Sequence, residues 1–136
     1  YTAKAEELKS YLFTLVGVDA EEAQKCMDKN NQTTCFINGN TLLIDLGEER
    51  TITSFHYLPD QSEYNKGVIA AYEISVGTDS NAVNQLVAKD EFSNIKSNPI
   101  LQSVYFTPVN ARYVQLKATR MIHDGEPMGL AEIGIQ

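Results

Sequence analysis

Thr41-Leu42-Leu43-Ile44-Asp45-Leu46-Gly47-Glu48-Glu49-Arg50-Thr51-Ile52-Thr53-Ser54-Phe55-His56-Tyr57-Leu58-Pro59 is the stretch that decides the fold class. It opens as a short apolar strand over 41–46 and breaks at a turn over Gly47–Arg50. It resumes as a strand over 52–58 and stops at Pro59-Asp60. Two strands of this length, joined by a Gly-led polar turn, belong to an antiparallel all-β domain.

Downstream the same punctuation continues. The polar run from Asp60 to Gly67 reads as a long exposed loop. Over 68–76 the residues alternate, with Tyr72, Ile74 and Val76 on one face and Glu73 and Ser75 on the other. A turn at 77–81 precedes a brief edge strand over 86–89. A further strand over 103–106 ends at Pro108, and Val109-Asn110 supplies the next turn. Alternation returns over 113–118, where Val114, Leu116 and Ala118 face inward. A loop over 121–129 leads to a closing strand over 130–135. Six or seven short strands at this spacing imply a β-sandwich or jelly roll.

Upstream, Leu8, Tyr11, Leu12 and Leu15 recur at helical spacing, yet 11–16 would serve equally as a buried strand. Asp19 is placed to cap a helix running from about Ala20 to Met27, with Glu21 and Glu22 where the helix dipole favours acids.

With 136 residues the chain is sized for one domain, and 43% hydrophobic residues suffice for a core. Eighteen acidic against 11 basic residues give a net charge of −7. Such a surface repels phosphate backbones and anionic head groups, which disfavours nucleic acid and membrane as partners. No apolar run approaches the roughly 18 residues of a membrane span. The first residues do not read as a signal peptide, so the chain is expected to be either cytoplasmic or a piece of a longer protein. Cys26 and Cys35 leave two readings open, a short disulfide in an exported domain or two buried thiols. Enzyme signatures are lacking. The two histidines, His56 and His123, sit in no nucleophile or base motif, there is no Gly-rich phosphate loop, and pairs such as Glu48-Glu49 fall in turns.

The ordered series of segments resembles the discoidin, or coagulation-factor-type C, domain. Leu43 to Pro59 is similar to its "I-D-L-G … F-x-Y-L-P" segment. The runs 71–76, 91–96, 111–118 and 130–134 resemble its later strands in order. The likeness is strongest over 20–136 and closest to the modules attached to bacterial α-L-fucosidases and related glycoside hydrolases. It implies a jelly-roll β-sandwich of about eight antiparallel strands with a short N-terminal helix. It also implies a non-catalytic carbohydrate-binding module, family 32 in type, that carries an exported bacterial enzyme to glycans ending in galactose- or fucose-type sugars. The parent's catalytic domain would be its partner. The alternative is a structural or protein-interaction domain with no sugar ligand.

The resemblance further implies a structural calcium. The family's "D-G-N-x-x-T-x-W" loop matches 28–35, retaining Asp28, Asn30 and Thr33, with Glu132 from the last strand. Lys29 and Cys35 replace that pattern's glycine and tryptophan. Carried over by position, the ligand face comprises Asp60, Gln61, Tyr64, Asn65, His123 and Met128. Asp60 stands where the family has an arginine, and Met128 where it often has an aromatic.

Overall fold

The computed structural model describes residues 10–27, 33–62, 66–92, 95 and 100–136. Among them are eight strands and one short helix: β1 (Thr14–Val16), α1 (Ala20–Gln24), β2 (Cys35–Ile37), β3 (Thr41–Leu58), β4 (Ile69–Gly77), β5 (Gln85–Glu91), β6 (Gln102–Met121), β7 (Met128–Leu130) and β8 (Glu132–Ile135). The larger sheet runs β1-β3-β6-β4-β5, with β8 also paired to β3, and β2 and β7 form a second, two-stranded sheet. Every pairing is antiparallel. This is the expected all-β sandwich.

The two halves of the deciding stretch are one strand. Gly47–Arg50 is a bulge inside β3, not a turn, because the pairing with β6 slips between Asp45 and Arg50. Arg112, on the opposite strand, explains why the chain does not fold back there. Its guanidinium grips both oxygens of Asp45 at 2.9 and 3.2 Å, and the same carboxylate accepts from Gly47 N at 2.8 Å. Gly47 takes up the extra length at φ 84°. The bond to the Arg112 guanidinium, opposed by desolvation, holds the Asp45 carboxyl below its ordinary pKa. Likewise Pro108 and Asn110 lie within β6, where a second slip between Ile52 and Ser54 leaves Pro108 at an irregularity that needs no N–H. The bulges let β3 change its outer partner half-way along, as it pairs β1 through Leu43–Asp45 and β8 through Phe55–Leu58.

The alternation read from sequence holds. Ile74, Val76, Val114 and Leu116 are completely buried, with Tyr72 and Ala118 nearly so. They join Leu42, Ile44, Ile52, Phe55 and Tyr57 in one core, where Phe92 stacks between Tyr72 at 4.4 Å and Tyr57 at 5.3 Å. Residues 14–16 resolve as a strand with only Leu15 facing in. Asp19 caps α1 as expected, accepting from Glu21 N and Glu22 N. The helix is shorter than its sequence suggests, since after Gln24 the bonds become three-residue turns that swing Cys26 into the core. His56, on the sheet's other face, is a packing residue. It is buried between the hydroxyls of Ser54 and Ser103, at 3.0 and 2.8 Å, and desolvation lowers its pKa.

Cys26 and Cys35 are both free and fully buried. A hydrogen bond with Cys35, then burial, then the nearby Glu132 push the Cys26 thiol well above its ordinary range. Thiolate, the reactive species, is thus suppressed. The native protein should leave both thiols unreactive toward a disulfide reagent over hours, with two equivalents released on unfolding in denaturant. Rapid labelling of the native protein would contradict this packing.

Candidate functional site

Three segments gather at one end of the sandwich: residues 59–62 and 66–67 after β3, the β2–β3 turn (38–40) and the β6–β7 connection (122–127). Crossing backbones sew them together. Gly129 N donates to Gly67 O at 2.9 Å, Gly67 N donates to Glu126 Oε1 at 3.1 Å, and Ile122 N donates to Val68 O at 3.0 Å. The approach leaves no room for side chains, as a Cβ on Gly129 would strike Lys66 O and the Phe36 ring. Beneath the crossing, the buried Tyr57 hydroxyl donates to Gly129 O and accepts from Ile69 N, both at 3.2 Å. Desolvation raises the pKa of that phenol, so it stays protonated as a structural donor.

Asp60 organises the first loop. Its carboxylate accepts from Thr34 Oγ1 at 2.8 Å, Lys66 N at 2.9 Å, and both the N–H and hydroxyl of Ser62. Burial opposes ionisation, yet the bonds from Ser62, Lys66 and Thr34 outweigh it and leave the pKa below the ordinary value. The result is a short loop closed on an internal anion.

The β2–β3 turn and the end of β6 with the connection after it line a cleft of about 390 Å³, within the range of small-ligand sites. Asn38 and Asn40 come from the turn, which Gly39 reverses at φ 87°, and Glu126 comes from the opposite loop. Met121 and Pro127 add apolar surface. Amide and carboxylate groups around apolar contacts are what a sugar ring requires: hydrogen bonds for its hydroxyls and a surface for its C–H face.

The expected ligand residues divide against this geometry. Asp60 and Met128 are corrections. Asp60 is buried with its oxygens engaged within its own loop. Met128 is fully buried in β7, paired with Ile37, so it offers no outward platform. Gln61 is half-buried and donates to Pro59 O at 2.8 Å. His123 is exposed on the 122–127 loop. Tyr64 and Asn65 lie outside the described residues. Sequence reading missed Asn40 and Glu126. The signals were the Asn-Gly-Asn turn and a carboxylate held between Gly125 and Pro127.

Of the expected metal ligands, Asp28 and Asn30 lie outside the described residues. The Thr33 hydroxyl donates to Lys25 O at 3.1 Å, and Glu132 is buried at the start of β8, close enough to Cys26 to affect its thiol. Both therefore flank the Lys25-Cys26 turn. Carboxylate, hydroxyl and carbonyl oxygens are the donor types a hard cation takes. Among the described residues no three His, Cys, Asp or Glu side chains converge on a point.

Comparison with known proteins decides the family, since the F5/8 type C domain matches residues 17–133. The chain belongs to the F5/8 type C domain family. Solved structures agree on the fold. A family 32 carbohydrate-binding module of a Clostridium perfringens family 89 glycoside hydrolase, in complex with GalNAc-β-1,3-galactose, superposes with a TM-score of 0.73 at 20% identity. The match covers 97% of this chain and 96% of that one. The family 32 module of C. perfringens NanJ, in complex with galactose, gives 0.70 at 22% identity over 97% and 95%. A family 29 glycoside hydrolase from an unknown rumen bacterium gives 0.69 at 31% identity. It covers 89% of this chain, which spans only 21% of that enzyme. A search of the curated proteins found no match. For this F5/8 type C domain the discoidin jelly roll read from sequence is thus the observed fold.

Proposed function

We propose that this domain is a non-catalytic carbohydrate-binding module that holds an appended glycoside hydrolase on glycans, in an exported bacterial protein. The observation that carries the reading is the cleft between the 38–40 turn and the 121–127 loop, with amides and a carboxylate set around Met121 and Pro127. Its position on a fold shared with sugar-binding modules of glycoside hydrolases adds support. His123 and Gln61 stand on the flanking loops, and Tyr64 and Asn65 belong to the same first loop by sequence. Calcium fits as a structural ligand of Asp28, Asn30, Thr33 and Glu132. Its role would be to tie the segment before β2 to the last strand, and it would take no part in chemistry.

One observation favours a second contact surface. Leu12 is 88% exposed and Val16 46% exposed, beside a shallow depression lined by Leu12, Phe13 and Leu46. That edge is where the domain would rest against its catalytic partner, and taken alone it is the basis of the interaction-domain reading.

The test is thermal unfolding and calorimetric titration of the chain, with EDTA or calcium, against galactose, fucose and GalNAc-β-1,3-galactose. A single module should bind with Kd in the region of ~1 mM, about −4 kcal/mol. Calcium should raise the melting temperature by linkage. Saturable binding lost on Asn38→Ala would support the module. Absence of any glycan response at tens of millimolar would leave the interaction domain, and an unchanged melting temperature in EDTA would remove the calcium.

A further inference from the structure

The turn between β2 and β3 carries the chain's only Asn-Gly pair, Asn38-Gly39, and residues 38–40 are all exposed. Its two ends are held differently. Asn40 is tied down: its carbonyl accepts from Ala118 N at 2.8 Å and its side-chain oxygen from the Thr41 hydroxyl at 3.2 Å. Among the described residues none hydrogen-bonds to the Asn38 side-chain amide or to the Gly39 N–H. The space around Gly39 is open, since a Cβ there would meet nothing within 4 Å, and its φ is 87°.

These features remove what normally protects an asparagine. The side-chain carbonyl carbon of Asn38 can be reached by the next backbone nitrogen, closing a succinimide ring. A side chain on the following residue hinders that approach, and glycine has none while leaving the backbone free to turn. No hydrogen bond has to break before the two groups meet.

We propose that Asn38 is a self-modification site, at which attack by Gly39 N gives the lip of the glycan cleft a new carboxylate. Gly39 N gives up its proton and bonds to Asn38 Cγ, and the Cγ–Nδ2 bond breaks as ammonia leaves with that proton. Water then opens the succinimide. Addition at Cγ yields aspartate. Addition at the Asn38 backbone carbonyl yields isoaspartate, in which the main chain runs through the side-chain carbon. Amide and water have become carboxylic acid and ammonia, with no change of oxidation state. Base speeds the reaction, because the attacking nitrogen must lose its proton.

Asn38 lines the cleft already described and a second one, of about 330 Å³, on the other side of the turn. The new carboxylate would share the first with Glu126 and the second with Asp19 and Glu22. An amide both donates and accepts, whereas a carboxylate only accepts, so a sugar hydroxyl loses its donor. The isoaspartyl form also lengthens the turn by a methylene. Modified chains should hold glycan about tenfold more weakly, as loss of a good hydrogen bond predicts. The modification needs no ligand, and only this consequence rests on the glycan-binding reading.

Incubation of the full chain at mildly alkaline pH, then tryptic digestion and tandem mass spectrometry, tests the chemistry. The peptide 30–50 should show the mass change of NH2 replaced by OH at Asn38, with isoaspartate confirmed by enzymatic methylation of that peptide. The rate should rise with pH and match that of the chain unfolded in denaturant. Asn40, Asn81, Asn84 and Asn110, each followed by a residue with a side chain, should stay intact. Gly39→Ala should stop the reaction, and the same comparison in denaturant keeps this variant informative if the turn is destabilised. An Asn38 that stays intact while the unfolded chain converts, or conversion spread evenly over the other asparagines, would overturn the site. Calorimetric titration with galactose and GalNAc-β-1,3-galactose reads the consequence, on fresh chain, on the modified fraction isolated by anion exchange, and on Asn38→Asp. Asn110→Asp is the control, since it adds the same charge outside the cleft and still accepts from the Thr51 hydroxyl, so it should bind like fresh chain. Equal affinity of fresh and modified chains would overturn the consequence. Failure of the fresh chain to bind any sugar would instead remove the module reading and leave the modification standing.

Discussion

Gly67→Ala should lower the melting temperature by about 10 °C and abolish glycan binding together. Gly67 sits at φ 69°, in the left-handed region, and a Cβ there would lie 2.9 Å from Gly129 Cα and closer still to Pro127 O and Gly129 N. All three obstacles are backbone, held by the Gly129 N to Gly67 O bond and by Tyr57 below, so none can swing away as a flexible side chain would. Left-handed strain of about 1 kcal/mol adds to an overpacking cost of about 2 kcal/mol, or about 3 kcal/mol together. For a domain of this size that corresponds to the shift stated. The cleft suffers because the loop displaced is the one carrying Glu126 and Pro127. Gly47→Ala is the control. It shares a positive φ of 84° but has nothing within 4 Å and does not line the cleft, so it should cost only the strain, about 1 kcal/mol, and leave binding nearly intact. Differential scanning calorimetry with sugar titration reads both. Equal small shifts for the two variants would show that the loops are not locked at Gly67.

That contrast marks what was legible in the sequence. Faces were legible, because burial of a strand imposes a period of two that any local window reveals. Tyr72, Ile74 and Val76 needed nothing else, and Asp19 announced its cap by local chemistry alone. Continuity was not. Gly47 and Pro108 are turn residues by composition, and only the opposite strand, through Arg112 and its grip on Asp45, makes them bulges within long strands. The ligand end failed in the same way. Position after Pro59 put Asp60 on a surface face, but its environment is set by Thr34, 26 residues earlier, and by the N–H of Lys66. Met128 reads as a loop residue until Ile37 pairs with it. Glu126 owes its fixed position to Gly67, 59 residues away. Site geometry here is made by contacts between distant loops, which one sequence read in windows does not contain.

Asp60→Ala is expected to destabilise the domain by about 2–4 kcal/mol and to remove part of its acid sensitivity. The carboxylate is buried and takes hydrogen bonds from Thr34, Ser62 and Lys66. Its removal takes the acceptor from two backbone N–H groups and two hydroxyls, and each donor left unmet costs about 1 kcal/mol or more. The pH behaviour follows from the same bonds. Because the folded-state pKa lies below the ordinary carboxyl value, the unfolded chain takes up a proton first on acidification. The stabilisation is therefore complete at neutral pH, begins to fade below about pH 4, and is lost as the pH falls through the folded value. Denaturant melts of wild type and Asp60→Ala across that range should converge toward low pH, with the gap widest at neutrality. Asp60→Asn should fall between them, since one oxygen still accepts while the new amide faces donors it cannot satisfy. A gap between wild type and Asp60→Ala that did not narrow in acid would mean that the ionised carboxylate is not what closes the loop. The Gly67 crossing would then have to hold that end of the sandwich by itself.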